Sequence, residues 1–174
     1  MAEKRSIGIK TLKMGAIAVD GGMGTSLALI AKTYRDSAEL IQEDPEITDI
    51  ECEEDDDPVE SLEKLGVRTL KFSIMDYDPA TLVKVLGGTV TGAGTTGDPY
   101  VWNAPTTSPN IEQSIEIESK TGVKFEIVRV KVMAKLNARL VKNGVALVDV
   151  TAKILTPTKA ETAPLKITKI VPAT

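Results

Sequence analysis

The side chains in this chain with the densest chemical potential are acidic. Glu51-Cys52-Glu53-Glu54-Asp55-Asp56-Asp57 gathers six carboxylates and the only thiol into seven positions. Carboxylates are hard ligands, but the run lacks the alternating spacing and the glycine of a calcium-binding loop. Pro58 ends it. Cys52 sits in a negative field that opposes thiolate formation, so a small half-buried side chain is expected there rather than a nucleophile. A lone cysteine also has no disulfide partner within the chain. Histidine is absent, which removes the commonest general base and every Ser-His or Cys-His pair. Gly22-Met23-Gly24-Thr25-Ser26 has neither the lysine nor the glycine spacing of a phosphate loop, and reads as a turn. The expectation is therefore no catalytic residue, no metal site and no cofactor.

Composition points the same way. The chain has 174 residues, long enough for one domain, and 42% of them are apolar. Two Phe, three Tyr and one Trp leave the core to Val, Ile, Leu and Ala. So few aromatics offer no stacking platform of the kind that glycan- or single-strand-binding modules use. Met1-Ala-Glu-Lys-Arg is followed by no apolar run, and no stretch reaches the ~20 residues of a membrane span, so a chain retained in a cytoplasm is expected.

Charge is segregated. Fourteen of the 25 acidic residues lie between Arg35 and Lys64, where there is no Lys or Arg, while from Ile111 onward eleven basic residues face six acidic ones. Such a chain can offer complementary faces to a second copy, or simply carry a solvated acidic loop.

The elements that would position these groups are mostly strands. Ile7 and Ile9 alternate in a segment 1–13 that reads as an arm or first strand, and Gly15–Val19 and Thr25–Arg35 read as strands around the Asp20-Gly21-Gly22 turn. Thr48, Ile50 and Cys52 alternate with Asp49, Glu51 and Glu53, which predicts a half-buried strand with an anionic outer face. Leu70, Phe72 and Ile74 alternate with Lys71 and Ser73. Asp78 and Pro79 start a helix that Gly87-Gly88 stops, with Leu82, Val83 and Leu86 on its apolar face. Residues 89–110 are Gly-, Thr- and Pro-rich and read as a long loop. It carries Tyr100 and the sole Trp, Trp102, which either cover a core edge or touch a partner.

The last third is strand after strand. Ile115 and Ile117 alternate with Glu116 and Glu118; Thr121-Gly122 turns the chain; and the apolar phase slips at Ile127-Val128, the mark of a bulge. Asn143-Gly144 is a hairpin signal, and Leu165, Ile167 and Ile170 lie in an edge-strand candidate within a C-terminal extension, 157–174. The whole predicts a single mainly β domain over 1–174, an antiparallel sandwich or barrel with one short α-helix.

Several stretches are similar to bacteriophage tail tube subunits, particularly those of Bacteroidetes phages and prophages. They are Lys32-Thr-Tyr-Arg-Asp-Ser-Ala-Glu-Leu-Ile-Gln-Glu-Asp, Glu51-Cys-Glu-Glu-Asp-Asp-Asp-Pro, the Leu70–Gly88 strand-helix-Gly-Gly unit, the basic strand 123–140 and Ala152-Lys-Ile-Leu-Thr-Pro. The resemblance spans roughly residues 7–157. It implies a virion structural protein, assembled in the host cytoplasm into stacked hexameric rings, with tape-measure and tail-terminator proteins as partners. It also implies an anionic lumen that DNA crosses without specific binding; an anionic wall lacks the cations through which phosphate backbones are held. Carried onto this sequence, the lumen candidates are Glu39, Glu43, Asp49, Glu51, Glu53, Glu116 and Glu118. The candidates for subunit contacts are Ile7, Ile9, Tyr100, Trp102, Asp55, Asp56, Asp57, Lys131, Lys135 and Arg139.

Two other readings compete. The inner tube of a contractile injection system would have the same fold. A monomeric β-sandwich binding or adhesion module would carry a concave aromatic patch, which so few aromatics do not supply.

Overall fold

Alternating apolar residues that can face one side of a pleat account for most of the order in this chain. The computed structural model describes residues 8–30, 32–54, 57–75, 77–138, 141, 142 and 144–170. In chain order the elements are β1 (Ile9–Gly15), β2 (Ala28–Leu29), β3 (Glu39–Gln42), β4 (Glu46–Ile50), β5 (Glu60–Lys64), β6 (Arg68–Ile74), α1 (Pro79–Leu86), β7 (Thr89–Thr91), β8 (Val101–Asn103), β9 (Ile111–Ser119), β10 (Val123–Ala138), β11 (Ala146–Ile154) and β12 (Leu165–Lys169). The fold is mainly β and every named strand pair is antiparallel.

The principal sheet runs β2-β1-β9-β10-β11-β6-β3, with β12 also on β10. Its inner face is built in cross-strand rows. Leu12 lies opposite Ile117 and Ile117 opposite Phe125; Met14 opposes Ile115, which opposes Ile127. Farther along, Val132 opposes Ala152, which opposes Leu70, and Val150 opposes Phe72. These side chains form one core cluster with Leu82 and Val85 of α1. Each fully buried aliphatic or aromatic side chain there stabilises the fold by roughly 1.5–3 kcal/mol.

The phase slip in β10 is a bulge. Pairing with β9 shifts between Ile127 and Val130, both fully buried, which puts Val128 out of step with the inner row. At this point the strand beside β10 is interrupted. β11 pairs with it as far as Ile154, the chain leaves for ten residues, and β12 resumes the same side from Leu165. The amides of Leu155 and Val128 close the gap, donating to Arg129 O and Pro164 O at 2.9 and 3.2 Å.

Ser114 lies on the outer side of β9 yet is fully buried, because the turn after β1 folds over it. Its hydroxyl donates to Val128 O at 2.6 Å and accepts from Gly24 N at 3.0 Å, so no polar atom of that side chain is left unpaired. The same turn abuts the excursion between β11 and β12. Lys159 Nζ lies 2.7 Å from the Asp20 carboxylate, and this hydrogen bond holds Asp20 below its ordinary range.

A short segment ties the two borders of the sheet together. β2 pairs with β1 and Ile30 N donates to Leu12 O; a few residues on, Met75 N donates to Lys32 O and Tyr34 N to Ser73 O, at the end of β6.

The structure changes several sequence-based expectations. Of segment 1–13, residues 9–13 follow the first-strand alternative as the start of β1, residues 1–7 lie outside the described residues, and the 15–19 strand is absent because β1 ends at Gly15. Of 25–35 only Ala28–Leu29 forms a named strand, with a bridge at Thr33. The helix begins with Asp78 accepting from Thr81 N and Pro79 at its first position, as read; it buries Leu82 and packs a half-buried Leu86 on the core, but Val85 rather than Val83 is its second buried residue. The 89–110 segment is not structureless: β7 and β8 pair within it. The strand at 46–50 exists, but all five of its residues are exposed instead of half-buried.

Candidate interaction surface

β3 and β4 run nearly continuously, as do β5 and β6, and together they make one long hairpin. Register passes from Glu39 opposite Lys71, through the 2.9 Å bond from Glu43 N to Val67 O, to Ile50 opposite Glu60. At the joint a side chain on Gly66 would collide with the Glu43 carbonyl, so only glycine fits this close backbone approach. The proximal half belongs to the principal sheet. The distal half, β4 with β5, forms a sheet of two strands only.

Isolated two-stranded sheets are marginal in water, and this one buries none of its ten strand residues. One face carries Glu46 with Lys64, Thr48 with Leu62 and Ile50 with Glu60; the other carries Ile47 with Glu63 and Asp49 with Ser61. Ile47 is 62% exposed, Leu62 51% and Val59 65%. Its internal polar contacts are a 3.1 Å ion pair from Lys64 to Glu46 and a 2.6 Å hydrogen bond from Ser61 Oγ to Asp49.

The expected lumen acids fall into two groups. Glu39, Glu43, Asp49, Glu51 and Glu53 lie along this hairpin, all exposed. Asp57 is exposed near the tip, while Asp55 and Asp56 lie outside the described residues.

Glu116 and Glu118 are elsewhere, on β9, and they are not bare anions. Lys10 reaches Glu118 at 2.7 Å, Lys13 reaches Glu116 at 2.8 Å, and Lys124 spans Glu116 and Glu126 at 3.8 and 2.9 Å. Glu116 and Glu126 face each other directly across β9 and β10, a like-charge pairing that Lys13 and Lys124 offset. The hydrogen bond from Lys13 holds the Glu116 carboxyl below its ordinary range, with Lys124 adding to the effect; Lys124 is raised, first by Glu126. Arg129, 2.8 Å from Glu112, lowers that carboxyl in the same way. This face is a balanced charge ladder.

The expected contact residues also separate. Ile9 packs against the core and is not free for a partner. Trp102 covers a core edge: its Nε1 donates to Gly87 O at 2.8 Å and its ring packs on the cluster. Tyr100, by contrast, is 59% exposed. Lys131 is exposed opposite Lys153 and has no ion pair among the described residues, whereas Lys135 lies 3.9 Å from Asp149. Ile7 and Arg139 lie outside the described residues.

Among the described residues no group of three or more His, Cys, Asp or Glu is arranged to hold a metal ion, and no helix is long and apolar enough to cross a membrane. The sequence matches no protein-family model and no curated protein.

Sequence reading located the acids but missed β5, the strand that organises them. Glu60-Ser-Leu-Glu-Lys has a single apolar residue, so neither period stands out. The signal that was available is the Pro58 break followed by a run that can pair back on 46–50.

Proposed function

We propose that this chain is a structural subunit that works by assembling with copies of itself, and that the assembly is a bacteriophage tail tube of stacked hexameric rings. The reading joins the sequence resemblance to one observation that supports it: a charged hairpin with exposed Ile47, Ile50, Val59 and Leu62, none of whose ten strand residues is buried. Apolar side chains on a thin two-stranded sheet have a physical role when a second molecule covers them. The segment joining Leu12 to Ser73 and Met75 fits a sheet curled towards a barrel, the wall element such a ring needs.

In this reading the anionic lumen comes from the root of the hairpin, Glu39 and Glu43, while Asp49, Glu51 and Glu53 lie on the distal half that a second copy covers. Glu116 and Glu118 are matched by Lys10, Lys13 and Lys124 and add little net field. DNA passes such a wall without a cationic surface to hold it. Negative-stain microscopy of the purified chain tests the proposal: rings or tubes are expected, and single particles of one subunit at every concentration and salt would refute it.

A further inference from the structure

A concavity of about 810 Å³ lies beside the part of β1 that β2 does not cover. β2 pairs only with Lys13 and Met14, and Ile30 N bonds Leu12 O, so among the described residues no strand pairs with this edge of β1 over Ile9–Thr11. Across the groove runs 32–36. The lining carries Lys10, Lys32, Arg35 and Lys120 against one acid, Asp36. Lys10 is paired with Glu118 and Arg35 with Asp36, while Lys32 and Lys120 have no ion pair among the described residues. Thr11 also lines it, and its buried Oγ1 has no hydrogen-bond partner. Leu29, 65% exposed, gives the groove one apolar wall. A free strand edge and a cationic rim together describe a receptor for an extended acidic segment.

We propose that the occupant is the β4–β5 hairpin of a second copy, entering with the outer edge of β4 and with Glu51 and Glu53. The proposal rests on the self-assembly reading and gives it a specific contact. The open edge at Ile9–Thr11, about 10 Å, can take up three of the five residues of β4. Charge and polarity match as well, since Glu51 and Glu53 meet Lys32 and Lys120, and Ile47 can cover Leu29. The rival occupant is this chain's own N-terminus. Residues 2–7, Ala-Glu-Lys-Arg-Ser-Ile, carry one acid and two bases, the wrong sign for this rim.

Charge exchange tests the contact. The pair Lys32→Glu with Lys120→Glu, and the pair Glu51→Lys with Glu53→Lys, alter exposed side chains and leave the circular dichroism spectrum unchanged. Each pair raises the concentration for half-assembly, read by light scattering, by about tenfold or more, and the chain bearing all four returns to within about threefold of wild type. Pairs without effect, or four changes that fail to restore assembly, overturn the docking. If deleting residues 2–7 abolishes assembly while the fourfold variant is not rescued, the groove belongs to the N-terminus and the proposal fails. A wild-type chain that never assembles refutes the tube reading itself, a different result from assembly that ignores these four residues.

Discussion

Leu70 and Leu62 stand on the same long hairpin, eight residues apart, and their surroundings could hardly differ more. Leu70 is 2% exposed within the core cluster; Leu62 is 51% exposed on a strand pair that buries none of its residues. Backbone pairing continues through both halves, so the difference is not one of secondary structure. It lies in what covers the faces. The proximal half shares its apolar side with β9–β11 and α1, whereas the distal half leaves its apolar residues exposed. Pairing alone does not make a core.

The comparison breaks first, and hardest, at the core. Leu70→Ala lowers unfolding stability by about 2–5 kcal/mol, because the tightly packed rows around Ala152 and Leu40 cannot collapse fully into the space. Chemical denaturation measures it; a loss under about 1 kcal/mol would place Leu70 outside the core. Ser114→Ala is expected to cost about 1–3 kcal/mol, since Gly24 N and Val128 O are left unpaired where water does not reach.

The charge ladder sets the next, smaller effect. Glu112 and Glu116 have folded pKa values below the ordinary 4.5, so the unfolded chain binds more protons in the interval between the two values. Their contribution is complete above the ordinary value and disappears as pH falls through the depressed ones. Tm is therefore flat from about pH 7 to about pH 5 and falls below about pH 4.5. Glu116→Gln lowers stability at neutral pH by up to about 1 kcal/mol and makes the acid decline shallower. A variant with the wild-type acid profile would show that the Lys13 contact does not favour the folded state. Smallest of all, Leu62→Ala shifts monomer stability by no more than about 0.5 kcal/mol, the opposite limit to Leu70.

Much of the principal sheet was legible in the sequence. Leu70, Phe72 and Ile74 alternate, Asp78-Pro79 and Gly87-Gly88 bracket the helix, and the Ile127-Val128 slip marks the bulge; all three signals are local. Burial was less legible, because it depends on partners distant in the chain. Thr48 and Ile50 alternate as cleanly as Leu70, Phe72 and Ile74 yet stay exposed, and Cys52 just beyond the strand is half-buried. The charge ladder was invisible for a related reason. Lys10 and Lys13 are more than a hundred residues from Glu118 and Glu116, and only the antiparallel register of β1 and β9 brings them together. Glycine-rich 89–110 concealed a hairpin because β7 and β8 have three residues each, too few for a period to emerge.

The proposed role of the distal hairpin is to dock on a second molecule of the same chain. Sedimentation velocity on the intact protein and on a form with 46–64 replaced by Asn-Gly examines this directly, with Leu70-side packing left untouched. The intact chain should sediment as large, concentration-dependent assemblies, and the shortened one as a folded monomer with nearly unchanged Tm. Equal assembly by both forms would contradict the claim.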